Sequence, residues 1–254
     1  MANRKNYLIY PTKEMRITQS YKGSYSHSGN YNGKPADYPI DEACSGTGRD
    51  YMYCPCDSMV VKRIYGVGGG GTNTIWLEST EKVVMPCGTD YVTIMVIHPM
   101  DDDLSKLKVG QVFKRGEKMF REGTDGNATG NHFHMSVGKG KYRNGWTQNT
   151  KGKWVIDTAS GAITPEQAFY IDKEFTKVSN KASLSFKELP DDFIKGDVNG
   201  DGKVTAADAR KALRGSAGLE KLSAEEQKAA DMNGDGKVTA ADAREILRKS
   251  SGLE

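Results

Sequence analysis

The chain has 254 residues, with 36 Lys and Arg against 33 Asp and Glu, a net charge of +3 and 37% hydrophobic residues. That length holds one large domain or two smaller ones, each able to bury a core. The small net charge, with no stretch that interleaves dense basic residues and aromatics, argues against nucleic acid as a partner, and no apolar run approaches the roughly eighteen residues of a membrane span.

The first stretch, MANRKNYLIYPTKEMRITQSY, has charge but no continuous apolar segment and no small-residue cleavage site, so it does not read as a signal peptide. Next come His27 in ITQSYKGSYSHSG and Asp41 in PIDEA, with NYNGKPADYP and its Asp37 between them. Cys44, Cys54, Cys56 and Cys87 are spaced neither as a zinc ribbon nor as a dense disulfide scaffold. Free buried thiols, disulfides and a structural metal all stay open for them.

Three segments rich in β-branched and aromatic residues follow: MVVKRIYG (59–66), NTIWLES (73–79) and YVTIMVIH (91–98). They predict strands of a mainly antiparallel sheet. GVGGGGT (66–72) lacks the strand-to-helix setting and the GK[ST] ending of a phosphate loop, so it predicts a hairpin connection. HFHM (132–135) then places two of the four histidines two residues apart. On a strand His132 and His134 share one face while Phe133 turns to the core.

The segment from YVTIMVIH to NHFHMSVG resembles the lysostaphin-like (LytM-type) zinc metallopeptidases that cut peptidoglycan. The residues that carry the resemblance are VIH (96–98), LKVGQVFKRGEKM (107–119) and GNATGNHFHMSV (126–137). Upstream, His27, Asp41 and MYCPCDSMVVKRIYG correspond to the family's opening His, Asp and following strand, so the likeness covers roughly 15–137. The family usually has three residues between that His and Asp; here there are thirteen. Asp37 is therefore an alternative ligand, and Asp41 is preferred because Ile40 and Cys54 reproduce the family's surroundings.

The resemblance implies one zinc held by His27, Asp41 and His134, with the fourth position left for water. It implies that His98 and His132 orient that water, move its proton and stabilise the oxyanion. There is no HExxH and hence no glutamate base, and histidine, with an ordinary pKa near neutrality, suits the task.

After the strands, Thr164 followed by Pro165 predicts the start of a short helix, and SLSFKEL (183–189) predicts a last strand. Residues 1–150 are expected to form the metallopeptidase domain, 151–190 an α/β appendage on it, and 191–254 a separate small domain entered through the linker LPDDFIKG. That last part is a duplication: the 24 residues from Asp197 recur from Asp231 with 19 identical.

Each copy, DVNGDGKVTAAD or DMNGDGKVTAAD, has the pattern of a twelve-residue calcium loop. Asp197, Asn199, Asp201, Lys203 (through its carbonyl), Thr205 and Asp208 are the candidate ligands of one Ca2+. Asp231, Asn233, Asp235, Lys237, Thr239 and Asp242 are those of a second. A helix follows each loop, and LSAEEQKAAD, with a Ser223/Glu226 capping box, joins the copies. This loop–helix pattern resembles a type I dockerin, whose usual partner is a cohesin. Ala206-Ala207 and Ala240-Ala241 replace the hydroxyl pair often found in dockerins, so a different cohesin, self-association or intramolecular docking are further partners to weigh. Leu213, Ile246 and Leu247 are expected to serve chiefly as core.

Together these readings give a multidomain chain, a mainly antiparallel β unit followed by a small all-α calcium module. The function they imply is a zinc endopeptidase of bacterial peptidoglycan, a cell-wall lysin. The lack of a signal peptide fits a phage endolysin released through a holin, and equally a mature fragment of a secreted enzyme. A non-catalytic LytM-like activator, and a cellulosome-type component with another substrate, are the alternatives.

Overall fold

The structure, a computed structural model, describes residues 5–22, 27, 37–43, 48–148, 154–190 and 194–253. Cys44, residues 30–36 of the expected insertion and residues 191–193 of the expected linker lie outside them. The chain divides into two compact units, Asn6–Leu189 and a second that contains the carboxy-terminal helices.

In the first unit the three apolar segments form the strands Ser58–Tyr65, Thr74–Ser79 and Val92–Ile97, paired antiparallel in that order. The glycine-rich run makes the turn of the first pair. Gly66 takes φ +95°, and a Cβ there would lie 2.7 Å from the Asn73 amide nitrogen, so only glycine fits. Phe133–Lys139 joins the other edge of Val92–Ile97, and Ile40–Glu42 and Glu14–Ser20 follow, all antiparallel. Val112–Lys114 extends the sheet beyond Ser58–Tyr65, and Lys177–Asn180 pairs parallel with Glu14–Ser20 at the opposite end.

The central strands are buried on both faces, which is why they read as continuous apolar runs. Ile75, Leu77, Ile94, Val96, Phe133, Met135 and Val137 enter the main core. The other face carries Trp76 and Met95, and the hairpin of Tyr142–Gln148 and Trp154–Thr158 brings Ile156 and Trp146 onto them. Gly145 sits close enough for Trp76 to donate its indole N–H to the Gly145 carbonyl at 3.2 Å.

Residues beyond 150 are woven into this unit: Ala162–Ile163 pairs with Phe133–Lys139, and Thr164 caps the helix Pro165–Ala168 with a capping box. The expected strand over 183–189 is extended only at Lys187–Glu188, which pairs parallel with Tyr170–Ile171. Ala182 and Ser183 adopt φ +47° and +63°, so the chain turns there instead of entering a sheet. Cys54 and Cys56 are buried free thiols and Cys87 is a half-buried one.

The second unit contains the helices Ala206–Ser216, Ala224–Ala230 and Ala240–Ser250 around a core of Val198, Ala209, Ala212, Leu222, Ala230, Ala243 and Ile246. Ile246 is fully buried, as expected, but Leu213 and Leu247 are 48% and 47% exposed. The line facing the core runs Ala209–Ala212 and Ala243–Ile246, three residues apart, and the next position in each helix is turned about 100° away from it. The architecture is thus a mainly antiparallel β unit with a small helical unit, and among the described residues no helix is long and apolar enough to cross a membrane.

Candidate functional site

Antiparallel pairing sets the first two members of the site. His134 lies opposite Asp41 on one side and Ile97 on the other, while its neighbours Phe133 and Met135 point into the core. His27 reaches the same point and is 5% exposed. His27 Nε2 is 3.0 Å from Asp41 Oδ1 and 3.2 Å from His134 Nδ1, and His134 Nδ1 is 3.1 Å from Asp41 Oδ1. Three ligand atoms on a tetrahedral zinc at about 2.0–2.1 Å lie about 3.3 Å from one another. The triangle therefore fits one small cation bound by two imidazoles and a carboxylate. Among the described residues it is the only group of three His, Cys, Asp or Glu whose ligand atoms all lie within 4.8 Å of one another.

Burial works to raise the Asp41 carboxyl, but hydrogen bonds from His134 and His27 and their charges outweigh it and hold the group well below the usual carboxylate range. Asp37 lies elsewhere. Its Oδ1 accepts the Tyr38 N–H at 2.8 Å and its Oδ2 the Ile156 N–H at 3.3 Å, and burial pushes its pKa up. Both its oxygens are used by backbone, so the structure brings Asp41 and not Asp37 into the triangle.

His98 and His132 flank the triangle, with ring centroids 4.5 Å apart. His98 follows the last residue of Val92–Ile97, and His132 precedes Phe133 and bridges to Gly123. Each spends Nδ1 on a backbone carbonyl: His98 on Asp125 at 2.7 Å, His132 on Gly130 at 2.8 Å. Those bonds place the proton on Nδ1 and leave Nε2 as the acceptor. His132 Nε2 is 3.7 Å from Asp41 Oδ1. Burial lowers the pKa of His98, the Asp125 carbonyl partly opposing it, which keeps the ring neutral near pH 7.

Two features of this region escape sequence reasoning. Glu42, next to Asp41, is buried and contacts Tyr10 and Thr12 through its two oxygens. Burial pushes its pKa up to about 8 against the pull of those hydroxyls. The other is the set of contacts around Asp125; the sequence GTDG signals a turn there but not what the turn holds.

In the second unit the two loops share one geometry. Asp197 Oδ2 accepts the Gly202 N–H at 2.7 Å, and Asp231 Oδ2 accepts the Gly236 N–H at 2.8 Å. Asn199 and Asp201 accept the N–H groups of Asp201 and Lys203, and Asn233 and Asp235 those of Asp235 and Lys237, each at 2.9 Å. The sixth positions, Gly202 and Gly236, take φ +86° and +82°. Asp208 and Asp242, at position twelve, are buried and accept both the amide and the hydroxyl of Thr205 and Thr239. Each Thr and Asp thus also starts its helix as a capping box. The donor set is all oxygen, the chemistry of a hard cation such as calcium.

Residues 195–249 match the family model of the dockerin type I domain. Morphogenesis protein 1 of Bacillus phage B103 is 30% identical over 143 residues, which are 55% of this chain and 34% of that protein. The chain thus spans about a third of the length of that curated relative. Similar solved structures include a zinc containing peptidase from Vibrio cholerae (22% identity, 53% of this chain and 36% of that one, TM-score 0.34). Another is the catalytic domain of the prophage-encoded M23 protein EnpA from Enterococcus faecalis (15%, 63% and 95%, TM-score 0.36). A third is the catalytic domain of lysostaphin from Staphylococcus simulans (16%, 53% and 81%, TM-score 0.30). The family model returns the resemblance to type I dockerins drawn from the sequence, and zinc peptidases, lysostaphin among them, stand among the similar solved structures.

Proposed function

We propose that the Asn6–Leu189 unit is a zinc endopeptidase that hydrolyses peptide cross-links of bacterial peptidoglycan, acting at the cell wall, and that the carboxy-terminal unit is a calcium-stabilised docking module. The observation that carries the enzymatic reading is the convergence of His27 Nε2, Asp41 Oδ1 and His134 Nδ1 on one point, with two tautomer-fixed histidines beside it. Two imidazole nitrogens and a carboxylate oxygen about 3 Å apart form a donor set suited to Zn2+. When bound, zinc supplies Lewis acidity, polarising a carbonyl and lowering the pKa of a water towards about 7.

The chain's own residues do the rest. His98 Nε2, neutral and unblocked, takes the proton of the attacking water. That proton, carried on His98 as an imidazolium, passes on to the leaving amine, and His132, its ring beside His98, donates from Nε2 to the oxyanion when it carries a proton taken from solvent. Asp41, held ionised, contributes the one negative charge of the ligand set. A complete set of ligands and proton carriers favours an enzyme over a non-catalytic activator.

In the second unit each loop is proposed to hold one Ca2+, with Asp197, Asn199, Asp201, Lys203 and Asp208, or Asp231, Asn233, Asp235, Lys237 and Asp242, around it. A cohesin-type protein is the partner that the dockerin match favours. Mass spectrometry of fragments released from purified cell wall tests the enzymatic reading. New peptide amino termini are the expected product, and release of glycan reducing ends alone, or of nothing, would refute it.

A further inference from the structure

We propose that Asp125, acting with Asn73, is the positioning residue that sets His98 for proton transfer, an inference that rests on the endopeptidase reading above. His98 stands just before Pro99 yet adopts φ +83°. Residues other than glycine seldom take that conformation, and a residue preceding proline is normally extended. Such a backbone persists only where its surroundings dictate it.

Two residues supply those surroundings. The His98 N–H donates to the Asn73 carbonyl at 2.9 Å, and the His98 carbonyl accepts the Asp125 N–H at 3.1 Å. The His98 ring donates from Nδ1 to the Asp125 carbonyl at 2.7 Å. Asp125 and Asn73 are joined in turn, because Asp125 Oδ2 accepts the Asn73 N–H at 2.5 Å. His98, Asn73 and Asp125 thus form a closed ring of hydrogen bonds, and the Asp125 carboxylate closes it.

The ring is anchored on its far side. Asn73 is fully buried, and its Nδ2 donates to Asp101 Oδ1 at 2.7 Å. Asp101 Oδ2 accepts the Gly68 N–H at 3.2 Å, which ties in the glycine-rich turn. On the near side, a Cβ on Gly123 would lie 2.3 Å from the His98 carbonyl oxygen, so the backbone passes this close only because glycine is there. None of these contacts uses His98 Nε2. They fix the backbone turn and the tautomer that leave Nε2 bare towards the site, as the outer partners of a functional histidine do.

Without the carboxylate, the Asn73 amide loses its acceptor, and the Asp125 backbone is no longer pinned beside the His98 ring. Outer partners of this kind are worth about ten- to a hundredfold in activity. The test uses the full chain, loaded with zinc and calcium, as wild type, Asp125→Ala and Asp125→Asn. The readouts are kcat and KM on solubilised wall fragments, zinc content, melting temperature, and the ¹⁵N shifts of the His98 ring.

Wild type should show His98 protonated at Nδ1. Asp125→Ala should lose about ten- to a hundredfold in kcat, with KM and zinc content unchanged and mixed His98 tautomers, and Asp125→Asn, which keeps an acceptor oxygen, should recover most of the activity. A wild-type kcat in Asp125→Ala, an unchanged Nδ1–H signal there, or a protonated Nε2 in wild type would overturn the inference. So would loss of zinc and folding in step with activity, which is the mark of a structural role. If wild type released no peptide, the endopeptidase reading would fall, while the ring shifts would still decide whether Asp125 sets the tautomer.

Discussion

Replacing Glu42 with glutamine isolates a buried acid that the fold holds in its neutral form. Thr12 Oγ1 contacts Glu42 Oε1 and lies 3.0 Å from the Glu14 carbonyl oxygen. The Thr12 hydroxyl donates to Glu42 Oε1, a bond that favours the ionised carboxyl, and burial outweighs it. The Tyr10 hydroxyl donates to the other oxygen. The pKa is raised from 4.5 to about 8, so the native state binds this proton more tightly than the unfolded chain. The stabilisation is complete below pH 4.5 and is lost as pH rises to about 8. At about 1.4 kcal/mol per pH unit the displacement corresponds to as much as about 5 kcal/mol.

Glu42→Gln keeps the shape of the side chain and an acceptor oxygen for a hydroxyl donor, but has nothing to ionise. All three tryptophans, Trp76, Trp146 and Trp154, fall within Asn6–Leu189, so their fluorescence in denaturant reports this unit alone. Histidine and zinc contributions are common to both proteins and cancel in the difference. The variant should gain on wild type by several kcal/mol between pH 5 and pH 8. A difference that stays flat to within about 1 kcal/mol would show that Glu42 ionises without cost, and the argument from its burial would fail.

Asp41→Ala should abolish zinc binding. Asp37→Ala should retain it while losing about 1–3 kcal/mol of stability, because the N–H groups of Tyr38 and Ile156 lose their acceptor; metal analysis and denaturation separate the two effects. Gly123→Ala should keep zinc but lose on the order of 10²-fold in activity, since the added Cβ meets the His98 carbonyl; a fully active variant would contradict the close approach. Calcium should stabilise the carboxy-terminal helices by about 2.7 kcal/mol per site at a hundredfold excess over Kd, and so raise their melting temperature. Far-UV circular dichroism reads this, and a transition indifferent to calcium would contradict the paired-loop reading.

The parts of this molecule legible in its sequence are those whose residues are contiguous or periodic. Each calcium loop packs its candidate ligands into twelve residues, and the strands around Ile75, Ile94 and Met135 announce themselves by burial on both faces. The spacing of His132 and His134 predicted a shared direction, and pairing with Ile40–Glu42 supplied Asp41 opposite. The sequence prefers Asp41 to Asp37 only by its neighbours, because which carboxylate the backbone occupies is a matter of tertiary pairing. Leu213 and Leu247 misled for a related reason: with Ala209, Ala212 and Ala243 small, the sequence does not mark the inward line of each helix. A positive φ at His98, and a neutral glutamate beside a charged aspartate, leave no trace in residue type.

The measurement that bears most directly on the central claim is zinc content paired with hydrolysis of purified wall in wild type, His134→Ala and His132→Ala. Wild type should bind about one zinc in the amino-terminal unit and release peptides. His134→Ala should lose both metal and activity, and His132→Ala should hold its zinc while losing activity. Full activity in His132→Ala, or wild-type zinc in His134→Ala, would contradict the division between residues that hold the metal and residues that move the proton or stabilise the oxyanion.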